Sequence, residues 1–314
     1  MHPGTRPRHD VAPALAVFHP PRALGVIVGA GFTAWALVGS TLAFSVVAGA
    51  EVELKTFLGW LIGAALALLG LVFLNWTYSV WSLAYVLDDQ ALTIRWGFRR
   101  VIIPIETIQR MVPGRTLDEP HIAGLNWWGC HVGSADVKRL GFTIFYSTHS
   151  APEELLYVVT TDESYGLTVV NQAAFAEEIQ GRAVIGATAG VLPQRSAASG
   201  LAALPFWRDR VAIMAVALSA LSCILMVGYV YAEYPDLPNV IRLTFPDLGG
   251  VVRVGDKGEV LHIAWFGAGI FVLNTVLGVL FHARERAAGL WLLASGGMLQ
   301  LVLLAAAITA FERA

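Results

Sequence analysis

Five stretches of this chain are continuously apolar, with no Asp, Glu, Lys or Arg: residues 23–47, 57–81, 211–231, 263–281 and 289–311. About 20 apolar residues are needed to cross the hydrocarbon core of a bilayer, and each run meets or approaches that length. No polar face interrupts them at helical spacing, so they read as transmembrane helices and not as amphipathic helices of a soluble core. The first two form a hairpin. A long stretch of mixed polarity then separates them from the last three, and a shorter polar loop, 232–262, divides the third span from the fourth.

The intervening stretch carries strand patterns. Tyr85-Val86-Leu87 is extended, Asp88-Asp89-Gln90 is a turn, and 91–96 alternates in part. Gly97-Phe98 turns the chain into a strand over 99–103, which Pro104 ends. Residues 107–112 read as a further strand, ended by Pro113-Gly114. The stretch 115–139 reads as loop-rich. Phe142-Thr143-Ile144-Phe145-Tyr146 and 155–160 are strands, Asp162-Glu163-Ser164 turns the chain, and 165–169 is the last strand. Asn171 is a good N-cap for a helix over 173–180, with Phe175 and Ile179 on one face. The pattern predicts about six antiparallel strands plugged by one helix, a barrel or sandwich.

Composition agrees. Of the 314 residues 56% are hydrophobic and 14% charged, against about 25% charged in soluble domains. The net charge of −2 offers no basic field for nucleic acid. The two cysteines, Cys130 and Cys223, fall in the insert and the third span, so no disulfide is expected. Lys and Arg are distributed unevenly. Arg22, Arg208, Arg210, Arg284 and Arg286 flank spans on one side, while the other side holds only Lys55, Arg242, Arg253, Lys257 and Arg313. By the positive-inside rule the N-terminus and the insert are cytoplasmic, and the loop 232–262 and the C-terminus external. A cleaved leader ending near Ala48-Gly49-Ala50 is the alternative for the first span, but its apolar run exceeds the usual length of about 7–15 residues.

The run Tyr85-Val86-Leu87-Asp88-Asp89-Gln90-Ala91-Leu92-Thr93-Ile94, followed by Gly97 and Ile103-Pro104-Ile105-Glu106-Thr107-Ile108, resembles the bacterial pleckstrin-homology-like domains. Val158-Val159-Thr160-Thr161, Tyr165-Gly166-Leu167, Asn171 and Phe175 resemble that family's final strands and helix. The likeness covers residues 85–181. It implies a bent barrel capped by a helix and brings no catalytic residues. More weakly, Tyr234-Pro235-Asp236-Leu237-Pro238, Phe245, Gly249-Gly250 and Asp256-Lys257 resemble a small membrane module of immunity-protein-like bacterial proteins. Thr244 stands where that module has a His.

Candidate chemistry is sparse. Trp127-Trp128-Gly129-Cys130-His131 sets a thiol beside an imidazole, but neighbours in sequence rarely face each other and packing is the favoured reading. Trp127 and Trp128 either pack in the domain core or contact lipid or a partner. Asp118, Glu119, His121 and His131 lack zinc-type spacing. Arg95, Arg99, Arg100, Arg110, Arg115, Lys138 and Arg139 form a basic set suited to an anionic leaflet, or to an ordinary solvated face. The acidic turn Asp88-Asp89-Gln90 argues against a phosphoinositide pocket there. Within the spans, Asn274 and Gln300 read as polar packing contacts, with a substrate site as the alternative, and Asn75 lies near the inner end of the second span. Gly25-x-x-x-Gly29 and Gly59-x-x-x-Gly63 offer small faces. No phosphate loop, Gly-x-Ser-x-Gly, His-Glu-x-x-His or Cys-x-x-Cys occurs.

The expected organisation is a cytoplasmic segment 1–22, a transmembrane hairpin 23–81, a cytoplasmic β domain 82–181, a flexible linker 182–207, and three further spans in 208–314. The expected protein is a non-enzymatic component of the bacterial inner membrane. It uses no cofactor and no metal, and its partners are the bilayer and other proteins or itself. A sensor or transporter-like component, using the external loop or a midplane polar site, is the alternative; an intramembrane enzyme is a distant third.

Overall fold

The computed structural model describes residues 15–186, 195–198, 203–245 and 251–312. The described residues fall into two compact units. One comprises residues up to Ala36 together with Leu69–Ala203; the other comprises Leu37–Leu68 and Leu204–Ala314. The five expected spans are helices: α1 (Ala23–Val47), α2 (Leu54–Trp81), α4 (Arg210–Glu233), α5 (Leu261–His282) and α6 (Arg286–Phe311). Each is long and apolar enough to cross a membrane. Their outer surfaces carry exposed Ile27, Trp35, Leu68, Trp265, Trp291 and Val302, the reverse of a water-facing surface.

The first unit holds the β domain. A five-stranded sheet runs β1-β2-β3-β4-β11, built from Ala16–Phe18, Ala84–Leu87, Ala91–Trp96, Arg99–Pro104 and Arg195–Ala198. A six-stranded sheet runs β5-β9-β10-β8-β7-β6, from Ile108–Pro113, Leu155–Thr160, Ser164–Thr168, Gly141–Ser147, Cys130–Val137 and Ala123–Trp127. The two sheets share a core that includes Tyr85, Leu92 and Ile94 of one and Leu156, Val158 and Leu167 of the other. Tyr85 joins them at the centre. Its hydroxyl donates to the Tyr146 carbonyl at 2.7 Å and accepts the Thr168 amide at 3.2 Å. Both faces of β9 are buried, because Phe145, Leu155 and Tyr157 pack with Ile122 and Val137 on the far side.

Helix α3 (Gln172–Gly186) closes the core. Asn171 caps it, accepting the Ala174 amide at 3.0 Å. Phe175 and Ile179 are buried in the shared core as expected, and Phe18 meets Phe175 edge-on with ring centroids 5.0 Å apart.

Two expectations are corrected. The stretch 115–139 is not mainly loop: it contains the β6–β7 hairpin. Its glycines hid the strands. A Cβ on Gly133 would lie 2.2 Å from the Ala123 carbonyl oxygen, so these strands approach too closely for side chains to mark a period. Nor is the second sheet wholly antiparallel. β10 pairs parallel to β8, with Tyr165 opposite Ile144, because the chain leaves β8, forms β9 one position out, and turns back into the gap. Of the expected linker 182–207, Arg182–Gly186 continue α3 and β11 pairs with β4. Residues 187–194 and 199–202 lie outside the described residues.

In the second unit polar groups tie helix to helix. Ser40 donates to the Gly63 carbonyl at 2.8 Å, joining α1 to α2. Ser219 donates to the Leu293 carbonyl at 2.7 Å, joining α4 to α6. Asp209 caps α4 and accepts hydrogen bonds from the Val211 and Ala212 amides. Its carboxylate also meets His282 Nε2 at 3.0 Å and Arg286 Nε at 2.6 Å, so the ends of α4, α5 and α6 meet at one acid. The loop between α4 and α5 contains an antiparallel hairpin, β12 (Val240–Phe245) and β13 (Val251–Asp256). The Gly249-Gly250 pair of the weaker resemblance lies outside the described residues.

Candidate functional site: the helix-seated turns and the groove of the β domain

Two turns of the β domain sit against the adjoining ends of α1 and α2, and each turns on a glycine. Gly97, at φ +55°, joins β3 to β4. A Cβ there would fall 2.4 Å from Ser79 Oγ of α2. The Gly97 amide donates to Ser82 Oγ at 2.8 Å, and Phe98 lies against Tyr78 with centroids 5.2 Å apart. Gly129, at φ +77°, joins β6 to β7, and its Cβ would fall 2.3 Å from the Gly25 amide nitrogen in the first turn of α1. Only glycine allows both the left-handed backbone and the approach. Gly25 therefore receives the β domain, whereas Gly29 gives room to Thr77 of α2.

Trp127 follows the seat inward. Its ring stacks on Phe32 at 5.8 Å and meets Phe73 at 6.1 Å and Trp76 at 5.4 Å. Phe32 lies nine residues into α1, which places this aromatic cluster about 13 Å along the helix. Trp128 instead is 71% exposed and lines a recess of about 600 Å³ with Leu24, Phe32, His131 and His149. At the same end Arg22 donates to the Trp81 carbonyl and stacks over the Trp81 ring at 5.3 Å. Basic and aromatic side chains paired in this way are favoured at bilayer interfaces.

Cys130 and His131 do not form a pair. The Cys130 thiol is buried, and burial pushes its pKa up to about 12, a shift that the neighbouring Trp127 indole only partly offsets. A thiol in that state is not a nucleophile. The His131 ring bonds to Asn126, and burial followed by the nearby His149 lowers its pKa. Asp118 is paired with Lys138 at 3.0 Å. Among the described residues no three His, Cys, Asp or Glu side chains converge as metal ligands would.

Lys138 and Arg139 lie on the β7–β8 turn, and the other basic residues divide into two places. Arg95, Arg99 and Arg100 lie on the β3–β4 hairpin beside α2, with Arg95 directly opposite Arg100 and Trp96 opposite Arg99. Arg110 and Arg115 lie elsewhere, at a groove of about 750 Å³ between β5 and α3. Among the described residues β5 is an edge strand, paired with β9 alone. The groove has apolar walls from Ile105, Ile108, Met111 and Ile179, and α3 turns Ala173, Ala176 and Ala183 toward it. Gln172 donates to the Glu153 and Leu155 carbonyls at 3.3 Å beside its end. Sequence reasoning missed this groove, since the alanines of α3 carry no chemical signal. It also missed the Asp209 cluster, although an Asp ahead of an apolar helix is a recognisable cap.

In the second unit Gln300 is fully buried and donates to the Gly267 carbonyl of α5 at 2.7 Å. Asn274 packs beside Gly296 of α6 instead, where an added Cβ would lie 3.2 Å from its own Cβ. The structure thus gives the two amides separate helix–helix contacts.

A β domain of two sheets, closed by a C-terminal helix and set between apolar membrane-length helices, defines a membrane protein with a PH-like domain. Residues 83–183 match the family model described as the bacterial PH domain, and this segment is such a domain. No curated protein and no solved structure matches the chain.

Proposed function

We propose that this is a non-enzymatic component of the bacterial inner membrane whose PH domain faces the cytoplasm and binds an extended segment of another protein, as an assembly or scaffold subunit would. The observation that carries this reading is the groove between β5 and α3. An edge strand offers unpaired backbone groups, and an extended chain laid along it would continue the sheet while its side chains enter the apolar groove. Arg110 and Arg115 favour an acidic segment, since neither forms an ion pair among the described residues. The turns seated on α1 and α2, at Gly97 and Gly129, do not line the groove, so contact with the leaflet and contact with a partner use different residues.

The orientation rests on the flanking Arg22, Arg208, Arg210, Arg284 and Arg286. Cysteine labelling in intact cells tests it: Lys138→Cys should stay protected from an impermeant maleimide and Asp236→Cys should react, and the reverse pattern would invert the assignment. The partner reading is tested by a photo-crosslinking residue at Ala176 in the full chain in cells. Protein adducts should form there and be lost with Arg110→Glu. Equal adducts at Glu177, outside the groove, would sink it.

The sensor or transporter alternative needs a polar path through the second unit. The complete burial of Gln300 and its bond to Gly267 support packing instead. Loss of a measurable flux in Asn274→Leu, with stability retained, would reverse that preference.

A further inference from the structure

The recess beside the β3–β4 turn holds about 240 Å³ and is lined by Asn75, Trp76 and Ser79 of α2, by Trp96, Phe98 and Arg99, and by Leu125 and Val132. No carboxylate lines it. Three guanidinium groups lie on this one hairpin. Only Arg99 enters the recess, on the same face of the hairpin as Trp96; Arg95 and Arg100, opposite each other, lie on the other face. Among the described residues Arg99 forms no ion pair or hydrogen bond, although its charge is felt at the Tyr146 phenol. The Asn75 side chain, exposed on α2, is likewise without a hydrogen-bond partner among the described residues. An amide left in that state beside acyl chains is costly.

Depth identifies the missing group. α2 has 28 residues and so spans about 42 Å, against a hydrocarbon core of about 30 Å. About 6 Å then projects at each end. Ser79 and Trp81 fall in the headgroup layer, while Asn75, six residues and about 9 Å back from Trp81, lies about 3 Å inside the acyl-chain region. The recess runs from the headgroup layer at Ser79 to the outer acyl chains at Asn75.

The geometry points to a discrete binding site here for the phosphate of an anionic phospholipid, with Arg99 as the cation and the Asn75 amide as a neutral donor. A guanidinium presents paired N–H groups to phosphate oxygens. Trp76 and Trp96 wall the recess and shield that contact from water, which strengthens it. Seen in this way, Gly97 brings the β3–β4 turn close enough to α2 for Arg99 and Asn75 to share one ligand. The site develops the leaflet-contact part of the reading above. It depends only on α2 spanning the membrane and is independent of the groove and its partner.

Native mass spectrometry of the purified full chain, titrated with phosphatidylglycerol, phosphatidylcholine or inorganic phosphate, tests the site. Wild type should hold one phosphatidylglycerol more tightly than phosphatidylcholine, and inorganic phosphate should not displace it. A charge-assisted hydrogen bond contributes about 1.5–3 kcal/mol, so Arg99→Gln should weaken that lipid roughly tenfold or more. Arg99→Lys should weaken it less, and Arg115→Gln, in the groove, not at all. If Arg99→Gln fails to fold, Asn75→Leu, with its expected smaller loss, carries the test. Unchanged phosphatidylglycerol affinity in every folded variant, equal affinity for phosphatidylcholine, or displacement by millimolar phosphate would each overturn the site. Partner crosslinks at Ala176 report separately, so a failure of the groove is not mistaken for a failure of the lipid site.

Discussion

Gly129 and Gly25 meet backbone to backbone: a Cβ on Gly129 would fall 2.3 Å from the Gly25 nitrogen, and one on Gly25 would fall 2.3 Å from the Gly129 carbonyl oxygen. This contact holds the β6–β7 turn on the first turn of α1, and Trp127 and Cys130 flank it.

Gly129→Ala should unseat that turn. The left-handed backbone costs about 1–2 kcal/mol for any residue with a Cβ, and the clash adds to it. Cys130, 1% exposed and with its thiol pKa pushed up to about 12, should resist maleimide at neutral pH in wild type and react in the variant. Gly141→Ala is the control, because φ there is +74° but no atom lies within 4 Å of the added Cβ. Equal Cys130 reactivity in both variants would mean that backbone strain alone, and not the Gly25 contact, is responsible.

Tyr85→Phe should destabilise the domain by about 1–3 kcal/mol, since it leaves the Tyr146 carbonyl and Thr168 amide unpaired in the core. Hydrogen exchange at the Thr168 amide should speed up more than exchange at Tyr157, in the neighbouring strand. A uniform increase would point to global loosening instead.

Phe175→Ala should cost about 3–5 kcal/mol, as other core aromatic truncations do. Phe175 is fully buried against Phe18 and Tyr85, so the loss should be read in the melting of the full chain in detergent. An unchanged melting temperature would show that α3 does not close the core energetically.

Gln300→Leu should change stability by no more than about 2 kcal/mol, the upper range for a hydrogen bond between membrane helices. Asn274→Leu should change it less, because the Asn274 side chain has no hydrogen-bond partner among the described residues. Thermal unfolding of both variants in one detergent checks the order.

Asp209 gives a pH dependence with a definite sign. Arg286, and after it His282, hold its carboxyl well below the usual carboxylate range. A depressed acid stabilises the folded state above the unfolded pKa, about 3.9, and loses that contribution as pH falls toward the folded value. The melting temperature of wild type should therefore exceed that of Asp209→Asn at neutral pH and at about pH 5, with the gap closing only below about pH 3.9. A gap already closed at pH 5 would remove Asp209 as its source.

The spans were legible because charge-free runs of membrane length have few other readings. Helix α3 was legible from Asn171, Phe175 and Ile179, where cap and spacing agree. The β6–β7 hairpin was not, because Gly124, Gly129 and Gly133 serve backbone approach and leave no alternation to read. The parallel pairing of β8 with β10 was not, because each strand carries the same local pattern whichever neighbour it meets. Asn75 and Arg99 were visible as residue types, but their sharing of one recess depends on the Gly97 turn against Ser79, a contact between segments separated in sequence.

The strand order in the first sheet has a consequence for biogenesis. β1 is made before α1, and its partner β2 only after α2, so Val17 can pair with Val86 only if an even number of spans lies between them. A chain that inserted one helix of the hairpin and left the other outside the bilayer would hold the two strands in separate compartments. The three-residue ladder from Ala16–Leu87 to Phe18–Tyr85, and with it the contact of Phe18 with Phe175, therefore requires both helices of the hairpin to have crossed.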